Sequence, residues 1–131
     1  MSNGVLSATG IAVTDLRRSE DFWTRVVGME RQAKLRLPEM DEVILGFHAK
    51  GASLVLMQYT DGRDVQVTEL PVKVVVSVDD PAALAEAIRA EGLAITREPE
   101  PVPELGDAVV GFARDPDGYV IEILQRPPRP S

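Results

Sequence analysis

The chain has 131 residues, of which 44% are hydrophobic and 27% are charged, and it contains no cysteine. This length predicts one domain with a substantial hydrophobic core. The absence of cysteine excludes disulfide bonds and thiolate metal sites. The formal net charge of −7 argues against a nucleic-acid partner, because phosphate binding needs a basic face. No apolar run reaches the length of a membrane span and no signal peptide is recognisable, so we expect a cytoplasmic protein without membrane partners.

The first half of the chain predicts a strand, a helix and three further strands. A strand over 9–13 leads to a helix over 19–27, with Asp15 or Ser19 as its N-cap and Gly28 as its stop. The three further strands are predicted over 30–37, 42–48 and 52–58, the last two joined by a turn at 49–51. The polar stretch 59–69 is interpreted as a linker between two halves.

The second half repeats this order of elements. A strand over 72–78 precedes a helix over 82–91, which Asp80 caps and in which Pro81 takes the first position. A short strand over 95–97, a proline-broken loop over 99–103 and a closing hairpin with strands at 109–113 and 119–124 follow. An internal repeat with a period of about half the chain determines the architecture.

The closing hairpin carries the strongest local signals. Asp115-Pro116-Asp117-Gly118 is a turn sequence, because proline presets φ and glycine accepts a positive φ without steric cost. Glu122 is a lone carboxylate in the otherwise apolar second strand of the hairpin. A charge at that position either faces solvent or lines a site.

Two segments, FARDPDGYVIEIL near the C-terminus and FWTRVVGM in the first helix, carry a family resemblance. The chain resembles the vicinal oxygen chelate superfamily, which includes glyoxalase I, extradiol dioxygenases, fosfomycin-resistance enzymes and bleomycin-resistance proteins. The resemblance implies an α+β fold of two βαβββ modules, at about 6–60 and 70–126 of a single domain. In the fold that the resemblance implies, the modules form a curved, cup-shaped mixed sheet with the helices outside. The resemblance also implies that the protein forms a homodimer.

In metal-dependent members of this family, four ligands project into the cup, one from the first and one from the last strand of each module. The resemblance places these positions at Ala8, Leu56, Lys73 and Glu122. Only Glu122 has a ligating side chain, and one carboxylate does not hold a catalytic metal. We therefore expect no metal and no other cofactor. We also expect the Lys73 ammonium to take the place of the ion and to pair with Glu122.

The alternation of side chains along a strand extends this predicted site. If Leu56 faces the cup, so do its strand neighbours two residues away, and the same holds for the strands of Lys73 and Glu122. The predicted ligand-binding residues are Leu54, Leu56, Gln58, Val75, Ser77, His48, Phe112, Val120 and Leu124. His48, the only histidine, is either an acid or base near neutral pH or an exposed residue of the hairpin.

The roles of the two charged residues stay open at this point. Glu122 is a general base, an anchor for a ligand amine, or a relic satisfied by Lys73. Lys73 is a Schiff-base nucleophile, a partner for a ligand carboxylate, or a solvated residue.

The lost ligands favour a metal-free protein that binds a small molecule, such as a drug or a metabolite, as in the bleomycin-resistance branch. The alternatives are a metal-independent lyase or isomerase of a secondary metabolite that uses Glu122 or Lys73, and, disfavoured, a metal-dependent glyoxalase-like lyase or dioxygenase.

Overall fold

The computed structural model describes residues 3–48, 51–67 and 69–127. The chain divides into two compact units, unit 1 (residues 1–67) and unit 2 (residues 68–131). Unit 1 contains β1 (Ala8–Ala12), α1 (Leu16–Asp21), which continues as a π-helical segment (Phe22–Val26), β2 (Glu30–Arg36), β3 (Met40–Gly46) and β4 (Ser53–Tyr59). Unit 2 contains β5 (Lys73–Ser77), α2 (Pro81–Ala90), β6 (Ile95–Val102), a 3-10 turn (Pro103–Leu105), β7 (Ala108–Arg114) and β8 (Val120–Gln125).

Each unit has one four-stranded mixed sheet. The strand order is β1-β4-β3-β2 in unit 1 and β5-β8-β7-β6 in unit 2. In both sheets the first strand pairs parallel with the last, and the other pairs are antiparallel. Parallel pairing requires a crossover connection, and the helix begins that connection in each unit. The predicted α+β class and the two βαβββ modules are therefore confirmed. In the described ranges, neither helix is long and apolar enough to cross a membrane.

Both helices begin at an aspartate that caps the first turn. The Asp15 carboxylate accepts a hydrogen bond from the Arg18 backbone N–H, and the Asp80 carboxylate accepts one from the Ala83 N–H, at 3.2 and 3.0 Å. Asp15 is thus the N-cap of α1, and the helix begins three residues earlier than the sequence predicted. Ser19, the other predicted cap, is buried inside the helix.

A glutamine near the end of the last strand ties each sheet to the start of its helix. Gln58 donates to the Thr14 carbonyl and accepts from the Leu16 N–H, at 3.3 and 2.8 Å. Gln125 donates to the Asp79 carbonyl at 2.7 Å. The contacts repeat because Thr14 and Asp79 both directly precede a capping aspartate. The side chains of Gln58 on β4 and Gln125 on β8 therefore point toward the helix of their unit.

The core of each unit lies between its helix and one face of its sheet. In unit 1 the fully buried Trp23, at 0% exposure, is a core residue, and its ring packs edge to face against Phe22. The sheet side chains buried in unit 1 are Ile11, Val43, Leu45, Leu54 and Leu56. The corresponding core of unit 2 includes the buried residues Val76, Leu84, Ala85, Ile88, Ala113, Ile121 and Ile123.

The turn of the closing hairpin forms as the sequence predicted. Gly118 has a φ of 96°, and its N–H donates to the Asp115 carbonyl at 2.9 Å. The buried Asp115 carboxylate also accepts hydrogen bonds from the backbone of Asp117 and Tyr119, at 3.0 and 2.8 Å. One side chain therefore fixes the connection that leads into the strand of Glu122.

The predicted proline loop at 99–103 is wrong, because β6 runs without interruption from Ile95 to Val102. β6 is the edge strand of its sheet, and its register with β7 shifts between Arg97 and Glu100. Prolines are tolerated at such edges and bulges, where a backbone N–H is not needed for pairing. Of the turn predicted at 49–51, residues 49 and 50 lie outside the described residues.

Gly111 in β7 allows a close approach of the bulged edge strand. A Cβ at Gly111 would lie 2.8 Å from Pro99 Cγ and 3.1 Å from the Arg97 carbonyl oxygen. At Gly10 the nearest atom to such a Cβ is the end of the flexible Met57 side chain, at 3.2 Å.

We expect Gly111→Ala to destabilise the protein by about 1–3 kcal/mol, because backbone and a rigid ring obstruct the new methyl group. Gly10→Ala is the matched control and changes stability little, since a methionine end can rotate away. Urea unfolding followed by circular dichroism measures both. Equal midpoints for the two variants would contradict the close packing of β6 on β7.

Helix α1 is tied to strand β2 by an ion pair. Arg31 Nη2 donates to Glu20 Oε1 at 2.8 Å, and the Glu20 side chain is 17% exposed. The hydrogen bond from Arg31 lowers the pKa of Glu20 below its ordinary value of 4.5, against the opposing effect of burial.

We expect Glu20→Gln to cost about 1 kcal/mol of stability at neutral pH. A carboxyl whose pKa is lowered on folding stabilises the protein above its unfolded pKa, and this contribution is lost as pH falls through the folded pKa. The stability gap between wild type and variant therefore closes on acidification below 4.5. Unfolding midpoints across a pH series test this, with Glu104→Gln as the charge-matched control. A gap that persists at pH 3 would contradict it.

Candidate functional site

The predicted pair of Lys73 and Glu122 is confirmed. Lys73 Nζ donates to Glu122 Oε1 at 2.8 Å, between the first and the last strand of unit 2. The Glu122 side chain is 14% exposed and that of Lys73 is 51% exposed. The carboxylate is thus largely withdrawn from water, whereas the ammonium remains half accessible to a solute.

The register of unit 2 places most of the predicted site on one face of its sheet. On β5, Lys73, Val75 and Ser77 lie opposite Val120, Glu122 and Leu124 of β8. On the other side of β8, Phe112 lies directly opposite Glu122. Residues paired across neighbouring strands share a face, so the other six of these predicted residues lie on the same face as the Glu122 carboxylate.

This face is apolar around the charged pair. Leu124 forms a buried cluster with Ala108 and Val110, and Phe112 packs against it. A carboxylate and an ammonium within an apolar surface are typical of a pocket in which few polar groups orient a small molecule.

Leu54, Leu56 and Gln58 do not lie on the face of the sheet where the sequence placed them. Leu54 and Leu56 are 3% and 0% exposed, in the core of unit 1. Gln58, two residues further on the same side of β4, is hydrogen-bonded to the start of α1. The alternation along β4 therefore directs all three side chains toward the helix.

The internal repeat identifies the residue that truly corresponds to Glu122. Val75 pairs with Glu122 in unit 2, and the equivalent pair in unit 1 is Gly10 with Val55. The last-strand ligand position of unit 1 is therefore Val55 and not Leu56. The first-strand positions remain Ala8 and Lys73, which begin β1 and β5.

These four positions do not fit a divalent metal ion. Alanine and valine side chains carry no donor atom, and a lysine ammonium repels a cation. Throughout the described ranges, no group of three or more histidine, cysteine, aspartate or glutamate side chains is placed to hold an ion.

His48 lies just after β3, and its side chain is 91% exposed. Its Nδ1 atom is 3.5 Å from Glu30 Oε2. This position matches the alternative of an exposed hairpin residue.

A cavity of about 500 Å³ adjoins Glu122 within unit 2. Its lining comprises Leu105, Ala108, Glu122, Leu124, Arg126 and Pro127. Of these six residues, Glu122 and Leu124 were predicted from the sequence, and the other four were not. Arg126 could have been found, because it continues the alternation of Glu122 and Leu124 by one more step.

The chain is similar to several known proteins. It is 34% identical to a probable lactoylglutathione lyase of Vibrio cholerae, over 95% of this chain and 93% of the relative. It is 36% identical to a lactoylglutathione lyase of Arabidopsis thaliana, over 90% of this chain and 43% of the relative, and thus spans less than half of that protein. The structure of glyoxalase I from Leishmania major superposes with a TM-score of 0.78 at 28% identity, over 94% of this chain and 87% of that one.

These relatives overturn the function that the sequence analysis favoured. Proteins 34% and 36% identical to most of this chain are named lactoylglutathione lyases, not binding proteins. The expectation of a metal-free small-molecule binding protein is therefore wrong. That expectation equated the loss of the metal ligands with the loss of catalytic activity. The same fold can, however, support a reaction through other functional groups.

The motifs of the first helix and the closing hairpin, the paired βαβββ units and the similarity to these relatives all agree. The family model described as "Glyoxalase/Bleomycin resistance protein/Dioxygenase superfamily" matches residues 5–123. The chain therefore belongs to the glyoxalase/bleomycin resistance protein/dioxygenase superfamily.

Proposed function

We propose that this chain is a glyoxalase-type lyase that transfers a proton next to the carbonyl group of a small thioester. The main support is its identity of 34–36% to lactoylglutathione lyases over 90–95% of its length. A cavity lined by a carboxylate, which itself is hydrogen-bonded to an ammonium, supplies the chemical groups. A small-molecule substrate, a homodimeric assembly and a cytoplasmic location complete the proposal.

The substrate named in these relatives defines the reaction. Lactoylglutathione is the thioester of a 2-hydroxy acid. Cleavage to a thiol and a 2-oxoaldehyde requires the proton on the hydroxyl-bearing carbon to move to the neighbouring carbonyl carbon. The resulting thiol–aldehyde adduct then releases the thiol, and the reverse sequence forms the thioester. Neither direction consumes an oxidant or a reductant.

Glu122 and Lys73 match the two roles that this proton transfer requires. A carboxylate within reach of the carbon takes the proton from one carbon and returns it to the next. Negative charge then develops on the substrate oxygens, and a fixed cation beside them lowers the barrier. Lys73 lies 2.8 Å from the Glu122 carboxylate and is half exposed, so its ammonium can contact a substrate oxygen as well. No step is assigned to a metal ion, because the donor positions do not fit one.

We expect Glu122→Gln to lower kcat by at least about 100-fold, because the amide cannot accept the proton. Lys73→Gln lowers kcat by about 10- to 1000-fold through loss of the cation. Glu100→Gln on β6 is the charge-matched control and leaves the rate unchanged. The ultraviolet absorbance of the thioester, formed from glutathione and methylglyoxal, follows the reaction. Full activity of Glu122→Gln would overturn the assigned base, and absence of turnover by the wild type would overturn the proposed function.

The same site predicts indifference to divalent ions. Elemental analysis of untagged protein is expected to show no stoichiometric metal, because the positions of Ala8, Val55 and Lys73 offer no donors. Added Ni²⁺ or Zn²⁺ leaves the melting temperature unchanged, and a chelator leaves the reaction rate unchanged. A stoichiometric metal, or inactivation by the chelator, would contradict this donor assignment and direct attention to His48 and Glu122.

A further inference from the structure

The proposed proton transfer uses Lys73 only as a cation, although its amine is also a nucleophile. A lysine amine adds to carbonyl compounds and forms an imine when a base lies within hydrogen-bond distance. Lys73 Nζ lies 2.8 Å from Glu122 Oε1, which meets that distance. The Lys73 side chain is 51% exposed, so a carbonyl compound in solution can reach the nitrogen. The pair therefore combines an accessible amine with an adjacent base.

Both groups of the pair are held by strands. Lys73 is the first residue of β5, and Glu122 lies in β8, which pairs with β5 on one side and with β7 on the other. Val75 of β5 and Phe112 of β7 lie directly opposite Glu122. Reactive groups on strands are positioned more precisely than those on loops. The base is therefore fixed beside the amine before any carbonyl compound arrives.

The surface beside Lys73 is apolar. Val120 pairs with Lys73 across the two strands, and Val75 lies two residues along β5 on the same face. Val75 is 47% exposed, although its side chain is large and hydrophobic. An alkyl chain that covers Val75 removes apolar surface from water, which favours binding. An uncharged aldehyde with a short alkyl chain thus matches both the amine and its surroundings.

We propose that Lys73 is a covalent modification site that forms an imine with small alkyl aldehydes, with Glu122 as the proton carrier. Glu122 takes one proton from the ammonium, the nitrogen lone pair adds to the carbonyl carbon, and a second N–H proton moves to the oxygen. The hydroxyl group then leaves as water with the proton that Glu122 held, and the C=N bond forms. The product is a protonated imine beside an ionised carboxylate, so the pair of opposite charges is restored.

This reactivity goes beyond the proposed function, because it requires the amine and the carboxylate but no lyase turnover. Amine and aldehyde give imine and water, and neither an oxidant nor a reductant is consumed. The imine occupies the face around Glu122, so it competes with the proposed proton transfer.

Trapping of the imine tests the proposal in the wild-type protein. The protein is incubated with butanal and sodium cyanoborohydride, which reduces an imine to a stable secondary amine. Peptide mapping by mass spectrometry then gives the rate of butylation at each of the three lysines, Lys34, Lys50 and Lys73. We expect Lys73 to react at least about 10-fold faster than Lys34.

Lys34 is the matched control within the same chain. It is exposed on the edge strand β2, and Glu20, whose charge interacts with it, accepts its hydrogen bond from Arg31. Equal rates at Lys34 and Lys73 would overturn the proposal. This comparison needs no variant, so it does not depend on whether a variant folds.

Two further measurements test the base and the alkyl contact. Glu122→Gln is expected to slow butylation of Lys73 by about 10- to 100-fold, whereas Glu100→Gln leaves it unchanged. An unchanged or faster rate in Glu122→Gln would overturn the role of the carboxylate. With acetaldehyde in place of butanal, the ratio of the Lys73 rate to the Lys34 rate falls by about 3- to 10-fold. An equal ratio for the two aldehydes would overturn the contact with Val75.

The trapped amine is read out by mass, so this inference and the proposed function fail separately. Butylation of Lys73 without thioester formation would overturn the lyase and leave the imine site in place. Thioester formation without preferential butylation of Lys73 would do the reverse.

Discussion

The parallel pairing of the first and last strands is the constraint on which each unit depends. Two parallel neighbours cannot be joined by a tight turn, so the chain leaves β1 or β5 through a helix before it returns. In both units a capping aspartate starts that helix, and a glutamine of the last strand is hydrogen-bonded to the backbone just before it. In each unit, one face of the sheet is therefore buried against the helix and forms the core. Only the other face can carry a site.

The two units use this shared frame for different purposes. At equivalent positions, Ala8 and Val55 of unit 1 are replaced by Lys73 and Glu122 in unit 2. The Lys73–Glu122 ion pair lies in unit 2, where Glu122 adjoins the cavity that Leu105 and Leu124 line. An ion pair between neighbouring strands is a natural substitute for two metal ligands, because both arrangements leave the carboxylate with a hydrogen-bonded or coordinated partner.

The unequal exposure of the pair suits it to a reaction. Glu122 is 14% exposed and Lys73 is 51% exposed, so a solute reaches the ammonium more readily than the carboxylate. An ion pair with one accessible member stabilises the fold by only about 0–1 kcal/mol. Loosening it to admit a substrate therefore costs little. In a protein of net charge −7, Lys73 supplies a cation beside Glu122, and Arg126 supplies one in the lining of the cavity.

Local residue patterns were sufficient to predict the repeat of elements, the Asp80 cap of α2 and the turn at Asp115–Gly118. The pairing of Lys73 with Glu122 was instead implied by the family resemblance, which places both residues at ligand positions. The three-dimensional structure was needed to show which face of β4 points toward the helix, because a shift of one residue exchanges every side chain between the two faces. It was also needed to show that the prolines of β6 lie in an edge strand and that Arg126 and Leu105 line one cavity. Such facts depend on which distant segments pair and at what register, and no local pattern in the chain encodes them.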